Sequence, residues 1–285
     1  MKSLKLYKEN AIKSLLGNLR KNFLLKPAFK LFKNRGDYPT FWTMPYDPIC
    51  RDILFNGYYE KELLIGMSKL VENKSGTVLD IGANIGNHTV FFSKEFKQVI
   101  SFEPIPSNCW ILKANLYLNN ISNVQLIEKG VGDINEKLFI SQIDPKNTNN
   151  GLSKINPQGA TDQNCVDVVI GDEELEKLAI PKPILMIKID VEGAEPQVIM
   201  GLRKTIATYK PIIYWEAFTS ETVNQSKILL EEMGYVNFYH LTTKNYDNKF
   251  MNKITTLLGK SVYLKPIENC TTYEGMNVAS PKKLI

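Results

Sequence analysis

Histidine and cysteine are scarce. The chain of 285 residues holds two histidines and four cysteines. Neither His88 nor His240 has metal-ligand spacing. Cys50, Cys109, Cys165 and Cys270 lie far apart and form no C-x-x-C pair, so neither a disulfide framework nor a thiolate zinc site finds support. Reduced thiols in a cytoplasm are the expectation. Runs of about 18 apolar residues are also missing, so no transmembrane helix is expected. Lys2, Lys5, Lys8 and Lys13 break the N-terminus where a signal peptide would need an apolar stretch. A hydrolase elbow, G-x-S-x-G, does not occur. Gly259-Lys260-Ser261 resembles the end of a phosphate loop, but position 254 is Ile where that loop requires glycine. No internal repeat is found beyond an alternation of strands and helices.

Charge of one sign is concentrated at one end. The net charge of +5 hides ten Lys/Arg against one acid, Glu9, in residues 1–35. The rest of the chain holds 25 basic and 29 acidic residues, which gives no reason to infer a nucleic-acid partner. Leu4, Tyr7, Ala11, Leu15 and Leu19 recur at helical spacing up to Pro27, with basic residues opposite. Moderate amphipathicity is common in soluble helices, so a helix capping the domain or a dimer is the simpler reading. Peripheral contact of residues 1–35 with an anionic membrane, or with an acidic partner, is the alternative. Residues 1–48 are predicted to form a basic helical extension and loop, and 49–285 one α/β domain. The localisation expected is cytoplasmic, with membrane association as the variant.

The body alternates. Asp52–Val71 reads as helix interrupted by Gly57-Tyr58-Tyr59-Glu60. Strands are predicted at 77–81, 98–103, 123–128, 137–143, 165–170, 184–190, 212–216, 236–241 and 261–265. Helices are predicted at 87–96, 106–118, 172–178, after Glu195 to about 202, and at 221–233. Near-continuous apolar strands separated by helices imply a mostly parallel sheet covered on both faces. Asp144–Asn164, rich in Asn, Pro and Gly, reads as an insertion near a substrate.

Thr77–Glu103 contains a strand, a glycine loop, a helix and a second strand ending in acid, the parts of a nucleotide-binding βαβ unit. Gly82 and Gly86 are expected to let the backbone turn and approach a ligand. Glu103, 21 residues after Gly82, stands near the usual offset for a carboxylate that holds ribose hydroxyls. Asn84 replaces the middle glycine of a dinucleotide loop and would crowd a pyrophosphate. Asp80, aimed at the loop, disfavours phosphate and favours an ammonium. Asp190 and Glu216 also end apolar strands. Ligands of open α/β sheets bind outside the carboxyl ends of the strands, so Asp80, Glu103, Asp190 and Glu216 are expected on one rim. A ligand with a cationic amino-acid end and a ribose, such as S-adenosylmethionine, suits these acids.

Val78-Leu79-Asp80-Ile81-Gly82-Ala83-Asn84-Ile85-Gly86, Phe102-Glu103-Pro104 and Lys188-Ile189-Asp190-Val191-Glu192-Gly193-Ala194-Glu195 resemble the motifs of the FkbM-type S-adenosylmethionine-dependent methyltransferases. The resemblance covers roughly residues 50–245. It implies a class I, Rossmann-like, seven-stranded sheet whose last strand is antiparallel, and methyl transfer to a hydroxyl. Members act on sugars, polysaccharides and polyketide-type natural products, so a carbohydrate or natural-product hydroxyl is the implied acceptor. A sugar hydroxyl of a glycan or glycolipid precursor is the best fit. By the same resemblance Asp80, Gly82, Asn84 and Gly86 would form the methionine side of the pocket, with Asn87 and His88 beside them. Glu103, with Pro104 next to it, would hold the ribose, and Gly132 and Asp133 would sit beside the adenine.

An acceptor oxygen must be aligned with the methyl group and lose its proton. Asp190 is the first candidate base, followed by Glu192 and Glu216. Asp190 with Glu216 could instead hold a divalent cation, though no third ligand is identifiable and a metal-free site is favoured. Glu195 reads as a helix cap. His88 either contacts the cofactor or caps its turn, and His240 reads as structural. A Pro-Cys dipeptide and an N-P-P-Y-like tetrad are both missing, which argues against base methylation. A nicotinamide-dependent dehydrogenase is disfavoured by Asn84, and a non-catalytic cofactor-binding scaffold by the intact strand-end acids.

Overall fold

The computed structural model describes residues 39–43, 49, 52–53, 56–139, 165–217, 219–243, 262–267 and 276–284. Apart from Pro39, all of these belong to one unit, Thr40–Ile285. The predicted basic helix of residues 1–35, most of the 34–48 loop and the polar insertion 144–164 lie outside them.

Helix α1 (Lys61–Leu70) precedes β1 (Thr77–Ile81), α2 (Asn87–Glu95), β2 (Gln98–Phe102), α3 (Pro106–Leu118) and β3 (Val124–Ile127). Three short strands follow: β4 (Gly130–Gly132), β5 (Glu136–Phe139) and β6 (Cys165–Ile170). The second half comprises α4 (Gly171–Glu176), β7 (Ile184–Ile189), α5 (Glu195–Gly201), α6 (Arg203–Tyr209), β8 (Ile212–Trp215), α7 (Ser220–Glu232), β9 (Asn237–Thr243), β10 (Val262–Pro266) and β11 (Met276–Ser280).

The main sheet has the order β10-β9-β11-β8-β7-β1-β2-β3. Strands β3, β2, β1, β7 and β8 are parallel, and β11 pairs antiparallel with both β8 and β9. The chain winds outward from β1 to β3, then returns to β7 and winds the other way. The switch point therefore falls between β1 and β7, where such sheets bind ligands at their carboxyl ends. The last strand is antiparallel, as the resemblance implied. Among the described residues the sheet has eight strands rather than seven, because β10 adds antiparallel to the outside of β9.

Both faces of the sheet are buried. Leu79, Ile81, Phe102, Ile187 and Trp215 pack on one side, while Val78, Val99, Phe92, Met186 and Tyr214 pack on the other. This is why the strands read as continuous apolar runs. One polar row interrupts them. Ser101, Asp80 and Lys188 stand in register across β2, β1 and β7, all fully buried or nearly so. Thr89 of α2 closes the row, its Oγ1 donating to Asp80 Oδ2 at 2.6 Å and lying 2.9 Å from Ser101 Oγ.

Several predicted elements differ. Gly130–Gly132, not predicted as a strand, pairs with β6 in a separate sheet of order β4-β6-β5. The single helix predicted to end near 202 is two, broken at Leu202. The break has two causes. A Cβ on Gly201 would stand 1.9 Å from the Gly132 carbonyl oxygen, so α5 runs hard against β4 there. The Asp172 carboxylate then accepts the N–H groups of Lys204 and Thr205 at 2.7 and 3.0 Å, satisfying the start of a new helix from another element. Strand β11 was not predicted, because Asn277 and Ser280 spoil its apolar pattern. Asn277 Nδ2 is buried and donates to the Trp215 carbonyl at 3.1 Å.

Candidate active site

A cavity of about 480 Å³ opens at the carboxyl ends of β1, β2 and β7. That is within the range of ~300–1,000 Å³ typical of small-molecule sites. Gly82, Asn84, Glu103, Pro104, Asp190 and Glu192 line it, as do Gly132 and Asp133. Asp80, Gly86, Asn87, His88 and Glu216 are not among its lining residues. The predicted residues thus divide into a cavity wall and a supporting layer.

Glu103 is 4% exposed and heavily organised. Its Oε2 accepts the Asn84 N–H at 2.8 Å, and its Oε1 accepts Ile105 N–H at 3.0 Å and Asn108 Nδ2 at 3.2 Å. Burial pushes its carboxyl upward, against the pull of those three donors. A carboxylate has about four lone-pair sites, so roughly one is left to face a hydroxyl in the cavity. Asn84 reaches Glu103 from a left-handed backbone, φ 50°, which Asn tolerates better than most residues. The small sheet supplies the apolar wall beyond Glu103: Val131, Leu138, Val166 and Val168 line the cavity with Ile105.

The glycines take the positive φ that the predicted turn requires, and they also allow close packing. A Cβ on Gly82 (φ +77°) would meet the Asp190 carbonyl oxygen at 1.9 Å, and one on Gly86 (φ +89°) would meet Leu112 Cγ at 2.9 Å. Their missing side chains let the loop close on β7 and α3. Asp190 N–H donates to Ile81 O at 3.0 Å, which fastens the same two strand ends together.

Asp80 is displaced from its predicted role of facing an ammonium. Its carboxylate has no exposure and lies beneath the loop, 3.4 Å from Lys188 Nζ. Lys188 is the residue that sequence reasoning missed. Its Nζ also lies 3.3 Å from Asp190 Oδ2 and donates to the Gly82 carbonyl at 3.1 Å. Burial alone would pull Lys188 downward, but Asp190, Asp80 and Glu216 hold it above the usual lysine range. The visible signal was a lysine inside the otherwise apolar run Ile184–Ile189. A buried lysine in a core strand needs carboxylates beside it.

Beyond Asp190 the rim becomes strongly acidic. Glu192 has left-handed backbone, φ 59°, and lines the cavity. Burial, then Asp190, Glu216 and Glu195, push its carboxyl up to about 7. Glu216 follows β8, its N–H donating to Ile189 O at 3.0 Å, and its charge is felt by Glu192, Lys188 and Tyr59. Glu195 is buried and its Oε1 accepts Gly193 N–H at 2.9 Å, so it holds the 191–195 turn. Asn87 grips Tyr59 with both ends of its amide, at 3.0 Å each, and so ties the 57–60 turn to α2. His88 is buried and stacks on Phe92; burial, then Lys188, push its imidazole down to about 3, which keeps it neutral. Among the described residues no group of three or more His, Cys, Asp or Glu side chains is placed to hold a metal ion.

A doubly wound sheet, with a loop sealed to the switch-point strand and a cavity at the strands' carboxyl ends, defines a Rossmann-like fold of the class I methyltransferase type. The model of the methyltransferase FkbM domain matches residues 80–241. This is more than half of the chain, and the chain belongs to that family. Methyltransferase 1 of Beauveria bassiana is 30% identical over 143 residues, 44% of this chain and 57% of that protein. Hexuronic acid methyltransferase AglP of Haloferax volcanii is 29% identical over 138 residues, 47% of this chain and 53% of that protein. The chain thus spans a little over half the length of these two relatives. Methyltransferase FkbM from Methylobacillus flagellatus KT, a crystal structure, gives a TM-score of 0.46 at 16% identity, covering 92% of this chain and 60% of that one.

Proposed function

We propose that the protein is an S-adenosylmethionine-dependent O-methyltransferase whose acceptor is a sugar hydroxyl, in a glycan or glycolipid precursor. One observation carries this reading. A single cavity runs from Glu103, a buried carboxylate with a free acceptor site, to Asp190 and Glu192 at the end of β7. Family membership supports methyl transfer, and the sugar acceptor draws on the hexuronic acid methyltransferase among the relatives.

When bound, S-adenosylmethionine supplies a methyl group already activated on a sulfonium. The chain's own work is then to seat the cofactor, align an oxygen and take its proton. Glu103 accepts from a ribose hydroxyl, and the apolar wall of the small sheet receives the adenine beside Gly132 and Asp133. The loop from Gly82 to Gly86, fixed against Asp190, turns its backbone toward the methionine end. Asp190, ion-paired to Lys188, attracts positive charge at the strand end. A carboxylate that already holds an ammonium must loosen that pairing to take a proton, so Glu192 is the better-placed proton acceptor. Its carboxyl, near 7, matches the operating pH of a general base. No step requires a metal.

Calorimetric titration with S-adenosylmethionine and with NAD tests the cofactor. Tighter binding of NAD would overturn the reading. Transfer of labelled methyl to a glycan panel tests the chemistry. Glu192→Gln is expected to lower kcat by about 10²-fold or more while leaving cofactor affinity within about threefold. Unchanged turnover in that variant would remove Glu192 as the base.

A further inference from the structure

The matched domain begins at Asp80, yet a segment from upstream of it is tied to the cofactor loop. Residues 40–42 are held against α3 by two asparagines one helical turn apart. Thr40 N–H donates to Asn119 Oδ1 at 2.9 Å, and Asn119 Nδ2 donates back to Thr40 O at 2.7 Å. Trp42 N–H donates to Asn115 Oδ1 at 2.6 Å, and Asn115 Nδ2 donates back to Trp42 O at 3.2 Å. A side-chain amide carries donor and acceptor together, so each asparagine offers the segment what a neighbouring strand would. The Trp42 side chain is 67% exposed, so the backbone, not the indole, makes this attachment.

Asn115 also faces the other way. It is fully buried, and its Nδ2 donates to the Ile85 carbonyl at 2.8 Å. Ile85 belongs to the loop whose Gly82 and Asn84 line the cavity. The N–H groups of that loop are satisfied within the domain: Gly82 and Ala83 donate to Phe102 O, Asn84 to Glu103, and Gly86 to Ala83 O. Among the described residues, two side chains donate to its carbonyls, Lys188 at Gly82 and Asn115 at Ile85. Leu112, three residues before Asn115 on the same face of α3, fills the space that a Cβ on Gly86 would need. The Ile85–Gly86 corner thus rests on α3 through one apolar contact and one hydrogen bond.

The hydrogen bond depends on which way the amide points. The terminal torsion of an asparagine is broad and roughly two-fold, so a flipped amide would turn its oxygen toward the Ile85 carbonyl. Trp42 prevents this by engaging both ends of the same amide. We propose that Asn115 is a positioning residue for the cofactor, and that residues 40–42, outside the matched domain, belong to the same site. The segment orients the Asn115 amide, and the amide holds the 82–86 loop at Ile85. This rests on the methyl-transfer reading above and adds to that site residues that act on the cofactor through the loop.

Calorimetric titration of the full-length chain with S-adenosylmethionine and with adenosine tests the proposal, with denaturant unfolding followed on the same samples. Asn115→Ala is expected to weaken S-adenosylmethionine binding about tenfold. Adenosine lacks the methionine end that the loop faces, and its binding should weaken by about threefold or less. Trp42→Pro removes the N–H that holds Asn115 Oδ1 and should weaken S-adenosylmethionine binding by about threefold or more. Trp42→Ala keeps both backbone bonds and should stay within about twofold of the wild type. Asn119→Ala frees Thr40 without touching the loop, so it should lower stability and leave cofactor affinity within about twofold. Unchanged S-adenosylmethionine affinity in folded Asn115→Ala, equal losses for the two ligands, or equal effects of Trp42→Ala and Trp42→Pro would each overturn the proposal. If Asn115→Ala does not fold, Trp42→Pro decides against Trp42→Ala, a loss confined to the proline variant supporting the proposal and equal affinities overturning it. Failure of the wild type to bind S-adenosylmethionine would fell the methyl-transfer reading first, and this inference with it.

Discussion

The rim has two ends, and both are built from acids that close apolar strands. At the β2 end, Glu103 is surrounded by neutral donors: two backbone N–H groups and the Asn108 amide. At the β7 and β8 end, Asp190, Glu192 and Glu216 crowd together with one buried ammonium to balance them. Hydrogen bonds fix the first carboxylate in place while leaving it room for a ligand. At the second end, burial and the neighbouring acids push the Glu192 carboxyl up, so that it holds its proton more readily. In the proposed function the first end serves recognition and the second proton transfer. Acids at strand ends look alike in a sequence; the donors that distinguish them come from elsewhere in the chain.

The sharpest way to break the comparison is to remove the ammonium. Lys188→Met leaves Asp80 and Asp190 without their shared cation, one of them fully buried. Stranding a buried charge costs about 3–5 kcal/mol, so denaturant unfolding should show a loss of that order. Asn replacing Asp80 in the same chain should recover part of it, because the stranded charge is then gone. If Lys188→Met left stability unchanged, the acidic end would not depend on this pairing.

The seam between the two ends is tested by Gly82→Ala. The left-handed backbone costs about 1–2 kcal/mol for a residue with a Cβ, and the Asp190 carbonyl must also move. The expected result is a loss of stability together with a drop in turnover larger than the drop in cofactor affinity, since Asp190 is displaced. The neutral end is tested by Glu103→Ala. Loss of a charge-assisted hydrogen bond of about 1.5–3 kcal/mol should weaken S-adenosylmethionine binding about 10–100-fold by calorimetry, with turnover at saturating cofactor changed far less.

Much of the fold was legible because it rests on local pattern. Strands β1 and β6 and helix α3 stand at their predicted bounds, since apolar runs and a Pro at the first helical turn are signals carried by the element itself. The failures share a different cause. Helix α6 starts where Asp172 caps it from another helix, and β11 exists because Asn277 finds the Trp215 carbonyl across the sheet. The site divides the same way. Glu103, Asp190 and Glu192 could be picked out as acids beside strand ends. Lys188 looked like a lapse in an apolar run. Its meaning depends on partners that the fold brings from Asp80 and Glu216, and no spacing rule reports that.

The smallest effect concerns protons at the acidic end. Burial, then Glu216 and Asp190, push Glu60 up to about 8 in the folded chain, against an ordinary value of 4.5. Between those values the folded state holds a proton that the unfolded chain releases, so stability contributed by Glu60 falls as pH rises and levels off above about 8. Glu192, at about 7, adds a slope of the same sign that ends earlier. His88 works in the opposite sense. Its folded value near 3 lies below the ordinary 6.5, so it takes stability away as pH falls between those limits and is silent above them. Above pH 7 the Glu60 contribution outlasts that of Glu192. There the wild type should lose at most about 1.4 kcal/mol per pH unit through this group, or ~2–4 °C in Tm. Glu60→Gln should reduce that decline. Equal slopes in wild type and Glu60→Gln would mean that the acidic end does not impose its field on the 57–60 turn, and the contrast between the two ends would shrink to the strand ends alone.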